Sequence, residues 1–246
     1  MLLTCLSVLF FSCVTAENAR KSDTRTDLGT AYLKEGNAPG AVEALRTATS
    51  LNPQNATAWE RLALAYMASN ADDLAEEAFK KGIKLGTSEE PARIVYNYGL
   101  LLLSLERYDE ALTAFDGTLA DLTYRTPAKA LNSKGFTLYT MGRHDEAIKV
   151  LSDAIRKVPK FCQARFHRGL AYQATAQHQD ALDDFETVMQ TCGDEAIGSY
   201  YHAAEALFVL GEPDAGCTYL RTALREAKSD AFSKQIRGLA SQECKR

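Results

Sequence analysis

The stretch ATAWERLALAYMASNADDLAEEAFKKGIKLGTSE, residues 56–89, decides the fold, because its small and large residues recur at the same offsets along the chain. Registers opened at Ser22, Ala56, Ala92, Ala128, Cys162 and Ile197 place Gly29, Ala63, Gly99, Gly135, Gly169 and Ala204 at the eighth position. The twentieth position reads Ala41, Ala75, Ala111, Ala147, Ala181 and Gly216. Four residues later stand Leu45, Phe79, Phe115, Leu151, Phe185 and Leu220, all large and apolar. A period of 34 residues holds two helices and short turns, and short connections make them antiparallel neighbours. Small residues let the backbones approach, and the large residue one helical turn on fills the adjoining groove. Such a hairpin buries its apolar face only by stacking on its neighbours.

Punctuation agrees with this reading. Gly36, Gly142 and Gly211 fall at the fifteenth position, where the turn between helices needs a permissive backbone. Pro53 and Pro159 stop second helices. The units therefore run over residues 22–55, 56–89, 92–125, 128–161, 162–195 and 197–228, with extra residues in the links. A last amphipathic stretch over 229–244, carrying Phe232, Ile236 and Leu239, reads as a capping helix for the final apolar face.

The pattern resembles the tetratricopeptide repeat, whose Trp-x-x-Leu-Gly-x-x-Tyr motif is nearly spelled out by Trp59, Leu62, Ala63 and Tyr66, and by Leu28, Gly29 and Tyr32. The fold class is then all-α, a right-handed superhelix of six such repeats with a C-terminal cap. The resemblance implies that first helices line a groove through positions 2, 5, 9 and 12. These positions nominate Tyr96, Leu100, Asn132, Phe136, Tyr139, Phe166, Gln173 and Tyr201 as the protein-binding wall. Aromatics among apolar neighbours are the usual anchors of peptide and protein recognition.

Of 246 residues, 46% are hydrophobic, and the formal charge of −4 offers no footprint for nucleic acid. Residues 1–12 carry no charge and are rich in Leu, Phe and Val, too short to span a bilayer and similar to the apolar part of a secretory signal. Two processing readings compete: Cys13 after Phe10-Phe11-Ser12 resembles the lipidated Cys of a bacterial lipobox, with 13–21 as its tether, while Val14-Thr15-Ala16 could be an ordinary cleavage site. With Cys5 in the signal and Cys13 lipidated, Cys162, Cys192, Cys217 and Cys244 remain, an even number that suits an oxidising compartment. The register puts Cys162 and Cys192 at neighbouring ends of one antiparallel hairpin, and Cys217 near the end of the antiparallel cap at Cys244. Disulfides Cys162–Cys192 and Cys217–Cys244 are therefore expected, with four unpaired buried thiols as the alternative.

No catalytic constellation is recognisable, and no metal site or cofactor is expected. The four His recur in register, His144 and His178 beside turns where exposure is expected, His167 and His202 inside first helices. Acidic pairs such as Asp183-Asp184 read as helix stabilisers. Asn55-Ala56-Thr57 matches a glycosylation acceptor, which a bacterial source would leave silent.

With array and Cys13 in place, the chain resembles a narrower family, the Tgl/PilF/PilW-type outer-membrane lipoproteins, or pilotins, of type IV pilus systems. Cys13-Val14-Thr15, the run from Gly29 to Asn37, the block Asn97-Tyr98-Gly99 through Arg107-Tyr108-Asp109-Glu110-Ala111, and the link containing Tyr124 carry this likeness. It implies a non-enzymatic adaptor that binds the secretin subunit of the type IV pilus and promotes its outer-membrane localisation and multimer assembly; a monomer is expected. It also implies a lipid anchor on Cys13, with the repeats facing the periplasm. The alternative is another periplasmic scaffold lipoprotein for envelope export or outer-membrane assembly.

Overall fold

The computed structural model describes residues 14–86, 91–193 and 197–244, so the signal segment and Cys13 lie outside the described residues. Thirteen helices and no strand occur among them. The chain forms two compact units that meet in sequence within α5, one up to Leu101 and one from Leu102. The first holds α1 (Ala16–Lys34), α2 (Ala38–Leu51), α3 (Ala56–Ala68), α4 (Asp72–Leu85) and most of α5 (Pro91–Ser104). The second holds α6 (Tyr108–Ala120), α7 (Pro127–Thr140), α8 (His144–Lys157), α9 (Cys162–Ala174), α10 (His178–Thr191), α11 (Ile197–Leu210), α12 (Pro213–Glu226) and α13 (Asp230–Glu243).

Within each unit the helices pair as the period demands. In the first, α1 packs on α2 and α3 on α4, with α2 and α1 both touching α3. In the second, α7 pairs with α8, α9 with α10 and α11 with α12, while each second helix meets the next first helix and α7 touches α9. The small residue at the eighth position lies under the large one at the twenty-fourth of the same hairpin. A Cβ on Gly29 would fall 2.4 Å from Leu45 Cγ, one on Gly135 2.5 Å from Leu151 Cγ, and one on Gly169 2.6 Å from Phe185 Cε1. The six large residues are correspondingly sealed, none more than 1% exposed. Each such side chain contributes roughly 1.5–3 kcal/mol by leaving water.

Turns repeat with the helices. Gly36, Gly142 and Gly211 have φ of 75°, 77° and 83°. Asn70, Glu106 and Ala176 occupy the same register position at φ of 54°, 58° and 58°. The left-handed conformation is thus imposed by the hairpin even where Cβ sterics oppose it.

Residues 16–21, expected to belong to a tether, are instead helical, because α1 already begins at Ala16. Thr15 Oγ1 caps it by accepting from Asn18 N at 3.1 Å, and Glu17 in the first turn suits the dipole and pairs with Lys21 at 2.7 Å. Asn55 caps α3 in the same way, and its amide also donates to Ser22 and Asp23. At the other end Ser229 caps α13, whose Ile236 is fully buried beside Leu220 and Ala223. Two disulfides tie this half together: Cys162–Cys192, with Cα atoms 6.1 Å apart, joins the start of α9 to the end of α10, and Cys217–Cys244, at 5.8 Å, joins α12 to the end of the cap. No described helix is long and apolar enough to cross a membrane.

Candidate protein-binding surface

The register separates the first-helix positions by burial. At the fifth position Thr26, Glu60, Asn132 and Tyr201 are buried and pack inside their repeats, whereas Tyr96 and Phe166 at the same position are half-buried. At the ninth and twelfth positions, from Leu64 and Met67 to Phe136, Tyr139, Leu170, Gln173, Glu205 and Phe208, every described residue is half-buried. Within each unit those two positions form an accessible face.

Tyr96 and Leu100 lie in the first unit, on α5, both half-buried. On the same helix Arg93 forms an ion pair with Glu60 of α3, and Asn97 Nδ2 donates to Glu60 Oε1 at 2.6 Å. Burial pushes the Glu60 carboxyl up from its ordinary value, opposed by Arg93, Arg61 and the Asn97 bond. This charge is a joint between helices, not part of a ligand wall.

The other six candidates stand in the second unit on α7, α9 and α11, where rings follow one another. Tyr139 and Phe136 lie 6.5 Å apart between centroids, and Phe136 stacks on His167 at 4.6 Å. Phe166 sits 6.0 Å from His167 and 5.7 Å from His202, and Tyr201 meets His202 at 5.2 Å. Asn132 is 8% exposed and holds His167, Oδ1 to Nδ1, at 2.9 Å. Burial depresses the pKa of His167 to about 4, so at neutral pH the ring is uncharged and its Nδ1 hydrogen donates to Asn132. Tyr201, expected on the wall, is instead 6% exposed beneath the cap, its ring 5.8 Å from Phe232. Its position, the fifth, and the arrival of α13 explain the difference. Phe166, at the same position, is half-buried and packs on Phe185 as well as on the two His rings.

Gln173 belongs to a polar end of this wall. Its Nε2 donates to Glu205 Oε2 at 3.1 Å, and His202 Nδ1 lies 2.8 Å from the same oxygen. Burial pushes the Glu205 carboxyl up, but bonds from His202, Gln173 and Tyr201 outweigh it and hold the group below its usual range. The wall therefore presents apolar surface at Phe136, Tyr139 and Leu170 and a fixed negative charge at Glu205. Glu205 was missed in the sequence although its ninth position marks it.

Three further residues depart from expectation. His144 and His178, expected to be exposed, open α8 and α10 half-buried, each with a buried Nδ1 that lacks a hydrogen-bond partner within the described residues. Tyr139 packs on His144 at 5.3 Å. Asp184 is not a helix-covering acid but 3% exposed, held by Arg168 Nε at 2.7 Å and Nη2 at 2.8 Å. Ser152 Oγ accepts from the same guanidinium at 2.9 Å, so α8, α9 and α10 share one buried ion pair.

Repeated hairpins with a small eighth residue under a large twenty-fourth now have a counterpart among known sequences. The tetratricopeptide repeat pattern matches residues 26–90, 73–122 and 134–196. The chain belongs to the tetratricopeptide repeat family. Among relatives, the type IV pilus assembly protein PilF of Pseudomonas aeruginosa is 34% identical over 116 residues, 43% of this chain and 45% of that protein. The sequence match thus spans less than half the length of the relative. Two solved structures superpose on most of this chain: PilF of Pseudomonas aeruginosa, with a TM-score of 0.77 and 20% identity over 90% of this chain and 99% of that one, and PilW, a widely conserved type IV pilus biogenesis factor, with 0.77 and 24% identity over 87% and 97%. Among the described residues the regular elements of the repeats are all helices, and no group of three or more His, Cys, Asp or Glu could hold a metal ion.

Proposed function

We propose that this tetratricopeptide protein is a non-enzymatic pilotin, binding the secretin subunit of a type IV pilus and promoting its outer-membrane localisation and multimer assembly. The observation that carries the reading is the open wall of Phe136, Tyr139 and Leu170 beside the fixed carboxylate of Glu205, a surface able to seat an apolar side chain and orient a neighbouring donor. The 34% identity to a type IV pilus assembly protein supports the choice of system. In this reading Cys13 carries a lipid anchor in the outer membrane and the repeats face the periplasm, where the disulfides persist. A single acyl chain binds only marginally, so stable anchoring calls for more than one chain on Cys13.

Two experiments test it. The Phe136→Ser/Leu170→Asp variant, folded by circular dichroism, should lose co-purification with the secretin subunit of the host that encodes this chain. Retained binding would remove the wall from the account. For the anchor, a Cys13→Ala variant should leave the membrane fraction, and unchanged fractionation would reject lipidation there.

A further inference from the structure

Away from this wall, the second unit carries a separate cavity of about 480 Å³ at the start of α7 and the end of α8. Pro127, Val158 and Phe161 are among its apolar lining, and Arg125, Lys129 and Lys157 stand around it. All three cations are exposed, and none forms an ion pair among the described residues. Several cations of the same unit do: Lys134 with Asp116, Arg143 with Glu146, Arg156 with Asp153, and Arg168 with Asp184. The nearest acid in the link, Asp121, is turned onto its own turn, accepting from Thr123 N at 2.8 Å and Thr123 Oγ1 at 2.7 Å. The chain as a whole is acidic, with a net charge of −4, so three unneutralised cations about an apolar seat form a local reversal of sign.

Exposed apolar side chains accompany the seat. Val158 in its lining is 44% exposed, and Leu122, on the link that leads into Arg125, is 97% exposed. This link lengthens the spacing of unit starts from the 34-residue period to 36, from Ala92 to Ala128. A cavity of this size is within the range of ligand sites and takes a side chain with its flanking backbone. A bilayer would require a continuous face rather than one isolated seat.

We propose that this cavity is a second binding site, taking an acidic peptide segment that inserts one large apolar side chain against Val158 and Phe161. Its carboxylates lie along Arg125, Lys129 and Lys157. Charge complementarity selects the occupant and speeds encounter, and the apolar seat fixes its register. The site shares no residue with the Phe136 wall, so it stands whether or not that wall binds a secretin.

The test is fluorescence anisotropy of a short labelled peptide with a central Phe flanked by aspartates, against counterparts with Lys for Asp and Ser for Phe. The aspartate peptide should bind at low salt and weaken as salt rises. Its Kd should increase about tenfold on Arg125→Glu/Lys129→Glu and severalfold on Val158→Ser, and stay unchanged on Lys234→Glu, an exposed cation of α13 outside both sites. These substitutions replace exposed side chains, and circular dichroism confirms the fold. The proposal is overturned if the aspartate peptide fails to bind, if the lysine peptide binds as tightly, or if the double charge reversal leaves Kd unchanged. Binding of phosphatidylglycerol vesicles in place of the peptide would assign the patch to a membrane instead. A dimer abolished by Val158→Ser, with no peptide binding, would assign it to a second copy of the chain, and either result also overturns it.

Discussion

Gly135→Ala tests the packing rule on which every hairpin rests. Alanine is better than glycine in a helix interior by about 1 kcal/mol, so propensity alone makes this substitution stabilising. The new Cβ, however, would sit 2.5 Å from Leu151 Cγ and 2.7 Å from Cδ2. Carbon atoms prefer about 3.5–4.0 Å, and Leu151 is fully buried among Leu138, Ala147 and Ala154 with no room to retreat. Overpacking of this kind costs about 1–3 kcal/mol, and an approach this close belongs at the upper end. The net expectation is a loss of about 2 kcal/mol, or about 4–8 °C in Tm for a chain of this size. Urea denaturation followed by far-ultraviolet circular dichroism measures it. The decisive arm is the same change in a Leu151→Ala background, where the clash is gone and the propensity gain remains, so Gly135→Ala should then stabilise by about 1 kcal/mol. Gly238→Ala, with nothing within 4 Å of the new Cβ, is the control and should stabilise in either background. A Gly135→Ala protein no less stable than wild type, or an equal effect in both backgrounds, would refute the reasoning.

At Ala176, with φ of 58°, glycine should stabilise by about 1 kcal/mol by relieving the left-handed strain, measured by the same urea titration. Reducing the disulfides should cost about 3–4 kcal/mol each in the chain-entropy model for separations of 30 and 27 residues, seen as a Tm drop with reductant that Cys162→Ser and Cys217→Ser each reproduce in part. The pKa of His167, about 4 in the fold against 6.5 when unfolded, means that the unfolded chain binds the extra proton between these values. Stability conferred by the neutral ring is therefore full above pH 6.5 and falls as pH drops toward 4, by up to about 3 kcal/mol, and His167→Phe should flatten that part of the pH–stability curve.

What was legible in the sequence follows from which contacts leave a periodic trace. Gly135 under Leu151 and Gly169 under Phe185 do so because one helix cannot approach another unless the facing residue is small, and this made the hairpins readable. The turns were half legible: Gly36, Gly142 and Gly211 announce a left-handed residue, whereas Asn70, Glu106 and Ala176 adopt it under tertiary constraint alone. Asp184 looked like a surface acid beside Asp183. Yet its register slot holds buried Ala44, Ala78 and Ala114 in earlier units, and that comparison marks it as an interior charge requiring a partner. Among the wall candidates, Tyr201 and Asn132 share the fifth position with half-buried Tyr96 and Phe166, so the register alone does not separate the buried members from the others. Nothing in Tyr201 itself reports that Phe232 will lie over it. The cation cavity is illegible for the same reason: Arg125 and Lys157 meet only through the fold.

The central claim, that the wall of this chain assembles a type IV pilus secretin, is tested most directly in a deletion strain of the source organism. Secretin multimers on unboiled gels are compared after complementation with wild type and with Phe136→Ser/Leu170→Asp. The account predicts that multimers vanish on deletion, return with wild type, and stay absent with a stably expressed wall variant. Multimers unaffected by deletion, or restored in full by the wall variant, would contradict it.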